Sequence, residues 1–294
     1  MSKISRRNFI KTSALSAIFL SAVPSAIKSG SMRLFDDYDE VLCKKKFKLL
    51  VDEGTKSMSI GDACVEVGKS FLDTDYVAGT LDKSMSEGLV INLTGLDCVT
   101  FVENCLTFAR CVKMGKTSFD DYKSELKKIR YRDGVLDGYS SRLHYFCDWI
   151  TDNENKGIVK NITADIGGVE YNKKIDFMST HTKSYKQLSS SSELDGVKAA
   201  EEAINSRYYY YIPTNKISAS YDLMQSGDII ATTTSIGGLD VTHTGYVYKE
   251  GGGTYFMHAS SKSKKVIISP EELQDYVASD SKKTGIMVAR PLEV

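Results

Sequence analysis

The chain has 294 residues, with 38 Lys plus Arg against 38 Asp plus Glu, so its formal net charge is zero. That balance gives no electrostatic case for a nucleic-acid partner or an anionic membrane surface. The length and ordinary apolar content suit one or two globular domains with a sizeable core. Short charge runs such as Lys44-Lys45-Lys46 read as solvated faces.

Residues 1–30 read as an export signal rather than as part of the fold. Ser5-Arg6-Arg7-Asn8-Phe9-Ile10-Lys11 has the twin-arginine form, and an apolar stretch from Thr12 to Val23 follows it. A membrane span needs about 20 apolar residues, more than this stretch offers. No cysteine directly follows it to carry a lipid. The expectation is a bacterial protein that is periplasmic or otherwise exported, with no stable membrane anchor after signal removal. Residues 31–294 are expected to form one domain.

Its first part, 35–85, is helical in pattern: Phe35, Val41, Leu42, Phe47, Leu50 and Val51 recur at helical spacing, and Ser59 starts a second helix carrying Ala63, Val65, Val67 and Phe71. Val90-Ile91-Asn92-Leu93 predicts a short strand. A turn follows, and Cys98 opens a helix carrying Val99, Phe101, Val102, Cys105, Leu106 and Phe108. Further helices are predicted over Ser118–Ile129, with Ser118 as cap, and over Ser141–Thr151. From 157 the period moves toward two, with strand segments at Ile158-Val159 and Ile162–Ile166. Ser192–Asn205 predicts a helix. Short strands then cover Asp228–Ala231, Val241–Tyr248, Thr254–Ala259, Val266–Ile268 and Gly285–Arg290, with one helix interposed at Pro270–Val277, capped by Ser269. Helices first and an antiparallel sheet after make an α+β pattern.

Cys98 is the residue with the most chemistry in it. At a helix start a thiol feels unpaired N–H groups and the positive end of the dipole, which favours the nucleophilic thiolate. The other five cysteines are Cys43, Cys64, Cys105, Cys111 and Cys147. An exported protein invites a disulfide reading, but a chain of this size needs no staples and the spacings resemble no compact framework. Cys105, Cys111 and Cys147, in apolar stretches, therefore read as small buried hydrophobes, and no spacing suggests a metal site. Of four histidines, His243 and His258 fall on consecutive predicted strands joined by a turn at Gly251–Gly253, so a hairpin would make them neighbours. Each alone reads most simply as a hydrogen-bonded core residue. With Cys98 they can fill the three roles of nucleophile, base and orienting group. His144 reads as structural or as part of a substrate wall, and His181 as a loop residue.

Asp97-Cys98-Val99-Thr100-Phe101-Val102-Glu103 resembles the nucleophile motif of the papain-like bacterial cell-wall hydrolases of NlpC type, and Asp240-Val241-Thr242-His243-Thr244-Gly245 resembles their histidine strand. Ser141–Ile150 and Met257-His258-Ala259-Ser260-Ser261 are similar to the N-acetylmuramoyl-L-alanine amidase-like branch. Val99 and Thr100 stand where many relatives carry a small residue and Gly, which also favours that branch. The resemblance, from about residue 35 to the C-terminus, implies a papain-like core of one helix packed on an antiparallel sheet. It implies hydrolysis of the muramoyl–L-alanine amide of peptidoglycan fragments (muropeptides), with Cys98 attacking, His243 passing the proton, His258 orienting His243, and no metal or organic cofactor. Arg142 becomes a candidate for holding a substrate carboxylate, with a structural ion pair as the other reading. Asp240 either lines the site or caps a loop. Three alternatives stay open: an endopeptidase cutting within the stem peptide, a non-catalytic cell-wall-binding protein on the same scaffold, and acyl transfer to lipid or protein by the same dyad.

Overall fold

A computed structural model describes residues 25–294, with side chains from residue 38 onward. The twin-arginine segment and its apolar stretch lie outside the described residues. Two compact units are distinguished, 1–40 and 41–294.

Helix α1 spans Ser25–Asp52, and its Cys43, Phe47 and Leu50 are buried. Helix α2, Ile60–Lys69, starts where Ser59 accepts the Asp62 N–H as N-cap. Two short strands follow, β1 Asp75–Tyr76 and β2 Gly95–Leu96. Helix α3, Cys98–Met114, is buried almost continuously from Thr100 to Val112. Helix α4, Phe119–Arg130, opens on a Ser118/Asp121 capping box. Helix α5 is Phe146–Asn155, β3 Val159–Asn161, β4 Val169–Glu170, α6 Phe177–Thr180 and α7 Ser191–Asn205. The rest is strand-rich: β5 Tyr210–Pro213, β6 Ile229–Thr234, β7 Val241–Glu250, β8 Gly253–Ser260, β9 Lys265–Glu272, the short helix α8 Leu273–Ala278, and β10 Lys283–Pro291.

The strands form one sheet in the order β2-β1-β9-β8-β7-β6-β10-β5-β4, with β3 also on β10. Every pairing is antiparallel except β1 with β2. One apolar cluster lies between sheet and helices, where Phe101 of α3 meets Tyr246 of β7 edge to face at 6.0 Å. A smaller cluster, including Ile230, Val247, Phe256, Leu273 and Val277, fills the side under α8. The fold is thus mixed α+β around a mostly antiparallel sheet.

Four local expectations are corrected. Residues 90–93 are not a strand: Asn92 Oδ1 accepts the N–H groups of Thr94 and Gly95, which turns the chain, and the strand forms at Gly95–Leu96. Ile162–Ile166 is a turn, closed by the Ile166 N–H on the Ile162 carbonyl at 3.1 Å. The helix expected from Ser141 starts only at Phe146, because Arg142 is extended and bridges to Tyr131. Pro270 lies in β9, not in a helix. The β8–β9 register slips between Tyr255 and Met257, opposite the segment holding Pro270, so its missing N–H breaks no ladder bond.

Candidate active site

Cys98 is the first residue of α3, and its presentation is set by the residue before it. Asp97 Oδ1 accepts the Thr100 N–H at 2.9 Å while Thr100 Oγ1 accepts the Asp97 N–H at 2.9 Å. This capping box fixes the first turn and leaves the N–H of Cys98 without an intrahelical acceptor. Of the six cysteines, only Cys98 is not fully buried.

β7 and β8 deliver the histidines. Tyr246 pairs with Met257 and Val247 with Phe256, which places His243 and His258 beside one another. His243 Nε2 lies 2.6 Å from His258 Nδ1. Gly245 makes this possible, since a Cβ there would fall 2.8 Å from the His258 Cβ and 2.5 Å from the Met257 carbonyl oxygen. β7 is tied to α3 by Tyr246 Oη, which donates to the Val102 carbonyl at 2.8 Å.

Cys98 and His243 line one cavity of about 250 Å³ together with Arg142, His144 and Asp240. His258 is buried and does not line it. Apolar side chains such as Val102, Phe146 and Trp149 make up much of the wall, and Phe146 and Trp149 stack with centroids 5.5 Å apart.

The electrostatics differ from the expectation at Cys98. Burial and the adjacent Asp97 carboxylate push its thiol up to about 12, against the pull of the Thr244, Val99 and Cys98 N–H groups. Burial, with a contribution from Lys283, pushes His243 down to about 3. Burial, His243 and Lys283 push His258 down to about 2. At neutral pH the resting site therefore holds a thiol and two neutral imidazoles, not a preformed thiolate.

Asp240 is both a wall and a cap. It is buried, and its carboxylate accepts the Cys147 N–H at 2.9 Å and the Val241 N–H at 2.8 Å. These bonds fix the start of α5 to the start of β7, while burial pushes the Asp240 carboxyl above its usual range against the pull of the Cys147 and Val241 N–H groups. Arg142 forms ion pairs with Asp82 and, at 3.7 Å, with Glu87, and lies over the Tyr139 ring. Its charge is thus balanced inside the protein. His144 is held by the Tyr139 carbonyl at 2.8 Å, and burial and then Arg142 push it down to about 3. His181 is exposed, stacks on Phe177, and does not line the cavity.

Two tyrosines near the thiol carried no sequence signal. Tyr76 is pushed up to about 12 by burial and then by Cys98 and Asp97. Tyr276 of α8 packs on His258 with centroids 4.9 Å apart. Strand β1 and helix α8 bring them in from distant sequence, so no local pattern marks them. Among the described residues, no group of three His, Cys, Asp or Glu is placed to hold a metal ion, and no helix is long and apolar enough to cross a membrane.

Residues 66–286 match the N-acetylmuramoyl-L-alanine amidase-like family. No curated protein matches the sequence. Among solved structures, the chain is similar to an N-acetylmuramoyl-L-alanine amidase from Bacteroides uniformis at 36% identity and TM-score 0.75, covering 79% of this chain and 99% of that one. It is similar to a Bacteroides fragilis protein named as a candidate xylanase at 38% identity and TM-score 0.72, covering 76% and 98%. A Legionella pneumophila protein at 21% identity shares the fold, with TM-score 0.67 over 87% of this chain and 95% of that one.

Proposed function

The chain belongs to the N-acetylmuramoyl-L-alanine amidase-like family, and on that premise we propose that it is an exported cysteine amidase cleaving the amide between the lactyl carbonyl of N-acetylmuramic acid and L-alanine in peptidoglycan fragments. The observation that carries the mechanism is the 2.6 Å contact between His243 and His258, in a cavity shared by His243 and the one cysteine that is not fully buried. Helix α3 against β7 and β8 supports a papain-like core of NlpC type. The twin-arginine segment supports export to the periplasm or beyond.

With His243 Nε2 given to His258, Nδ1 is the nitrogen that serves the thiol. Because thiol and imidazole both start neutral, the proton passes to His243 as Sγ adds to the carbonyl carbon. The oxyanion is met by the Cys98 N–H, a kind of donor worth roughly 2.7–4 kcal/mol. Collapse expels the L-alanine amine, which takes the proton from His243, and leaves a thioester. His243 then takes a proton from water as its oxygen adds to the thioester, and Cys98 leaves as the thiol, freeing the muramic acid carboxyl group. Arg142 lines the same cavity and is proposed to meet a substrate carboxylate by exchanging its partner Asp82, which is half exposed. Asp240 is proposed to shape the wall beside His243.

A glycosidase reading needs two carboxylates across the scissile bond, one of them a free acid. The four carboxylates of the cavity wall are all committed: Asp97 caps α3, Asp240 caps α5, Glu103 pairs with Arg130 and Asp82 pairs with Arg142. Thiol chemistry is favoured over it. Replacing Cys98 by Ala should abolish turnover of muropeptides and leave their binding largely intact; a Cys98→Ala protein that still cleaves would refute the mechanism.

A further inference from the structure

This inference rests on the Cys98–His243 reading and concerns the tautomers that it demands. His243 can accept the thiol proton only at a nitrogen with a free lone pair. Nε2 is engaged by His258, so Nδ1 has to be bare and Nε2 has to carry the hydrogen. His258 Nδ1 is then the acceptor, and the hydrogen of His258 sits on Nε2. That nitrogen is buried and has no hydrogen-bond partner. A buried N–H without an acceptor is costly. Unopposed, this cost favours the reversed pair, in which His258 Nδ1 donates and His243 Nδ1 is protonated and useless as a base.

Two rings flank His258. Phe256 lies nearly parallel to it, at 4.7 Å and 19°, a stacked geometry that does not take an N–H on the ring face. Tyr276 stands across it at 4.9 Å and 61°. An edge-to-face pair of this kind is the geometry in which an N–H donates to an aromatic face. Tyr276 is itself held: Lys283 Nζ lies 3.7 Å from its ring centroid and fastens α8 to β10.

We propose that Tyr276 is a positioning residue whose ring accepts the His258 Nε2–H, so that His258 stays in its Nε2–H form and His243 Nδ1 stays unprotonated for the thiol. Lys283 holds the ring in place. The hydroxyl of Tyr276 has no part in this role.

The chain contains four histidines, so nitrogen NMR of the histidine-labelled full protein reads every ring, with His144→Gln and His181→Asn assigning the other two. The wild type should show His258 Nε2 as protonated and His243 Nδ1 as bare. Tyr276→Leu should mix the tautomers of both rings and lower kcat about 5-fold with KM unchanged. Tyr276→Phe should keep both readouts at wild-type values. If Tyr276→Leu does not fold, Lys283→Met supplies the same comparison with smaller shifts. The proposal is overturned by a protonated His243 Nδ1 in the wild type, by a folded Tyr276→Leu with unchanged tautomers and kcat, or by Tyr276→Phe behaving like Tyr276→Leu. These spectra are recorded on resting protein, so they stay informative even if Cys98→Ala retains activity and the parent reading falls.

Discussion

Tyr246 Oη donates to the Val102 carbonyl oxygen at 2.8 Å, and this bond joins the strand carrying His243 to the first turns of the helix that begins with Cys98. Tyr246 lies three residues from His243 and Val102 four from Cys98, so the bond acts on the spacing of the two groups. Tyr246→Phe should cost about 1 kcal/mol of stability, the usual worth of one buried hydrogen bond. It should lower kcat at temperatures where the variant is still fully folded. Urea denaturation beside a rate measurement checks both; an unchanged kcat would deny the bond its role in spacing.

Gly245 is where β7 and β8 come too close for a side chain. A Cβ there would meet the Met257 carbonyl at 2.5 Å and the His258 Cβ at 2.8 Å, and neither can swing away. Gly245→Ala should therefore destabilise by roughly 1–3 kcal/mol and depress activity further by displacing His258. Thermal unfolding and turnover of the variant test this.

Glu103 lines the cavity but is not read as an acid catalyst, because it is paired with Arg130 at 2.6 Å with both side chains 2% exposed. Arg130→Met would strand a buried carboxylate, and the loss should be about 3–5 kcal/mol. A double variant with Glu103→Gln should recover much of it, since removing both charges also removes the desolvation penalty. Chemical denaturation of the single and double variants separates the two cases.

Three histidines, His258 buried and His144 and His243 half-buried, set how stability depends on pH. His144 and His243 are pushed down to about 3 and His258 to about 2, whereas an unfolded histidine titrates near 6.5. Between those values the unfolded chain binds more protons than the folded one, so stability rises with pH across that window. It is fully present above about 6.5 and is lost as pH falls toward 3. Cys98, pushed up to about 12, works the other way: its share is fully present below the unfolded thiol value and is lost as pH rises from there toward 12. Urea midpoints should plateau near neutrality and fall on both sides. Alkylation of Cys98 in the folded protein should be slow at pH 7 and accelerate into the alkaline range.

The sequence made Cys98 legible because its signal is local: Asp97 and Thr100 form a cap, and helical periodicity begins at once. His243 and His258 were legible because strand alternation and one glycine turn predict a hairpin, and the hairpin pairs Tyr246 with Met257. What escaped depends on partners far along the chain. The α5 start is fixed by Asp240, 93 residues beyond Cys147, so no local pattern could place it at Phe146 rather than Ser141. The Ser269-Pro270 pair fits a helix start and a strand irregularity equally well, and the choice was made by the register against β8. Helix-start position argued for a low thiol value at Cys98, but burial and Asp97 outweigh the N–H groups there. Tyr276 enters the site only because α8 packs over β8 and is fastened by Lys283.

The most direct test of the account weighs the products formed from a purified disaccharide-tetrapeptide by the wild type and by Cys98→Ala. Free disaccharide plus intact tetrapeptide is expected from the wild type and neither from the variant. A shortened stem still attached to the sugar, or cleavage by the variant, would contradict it.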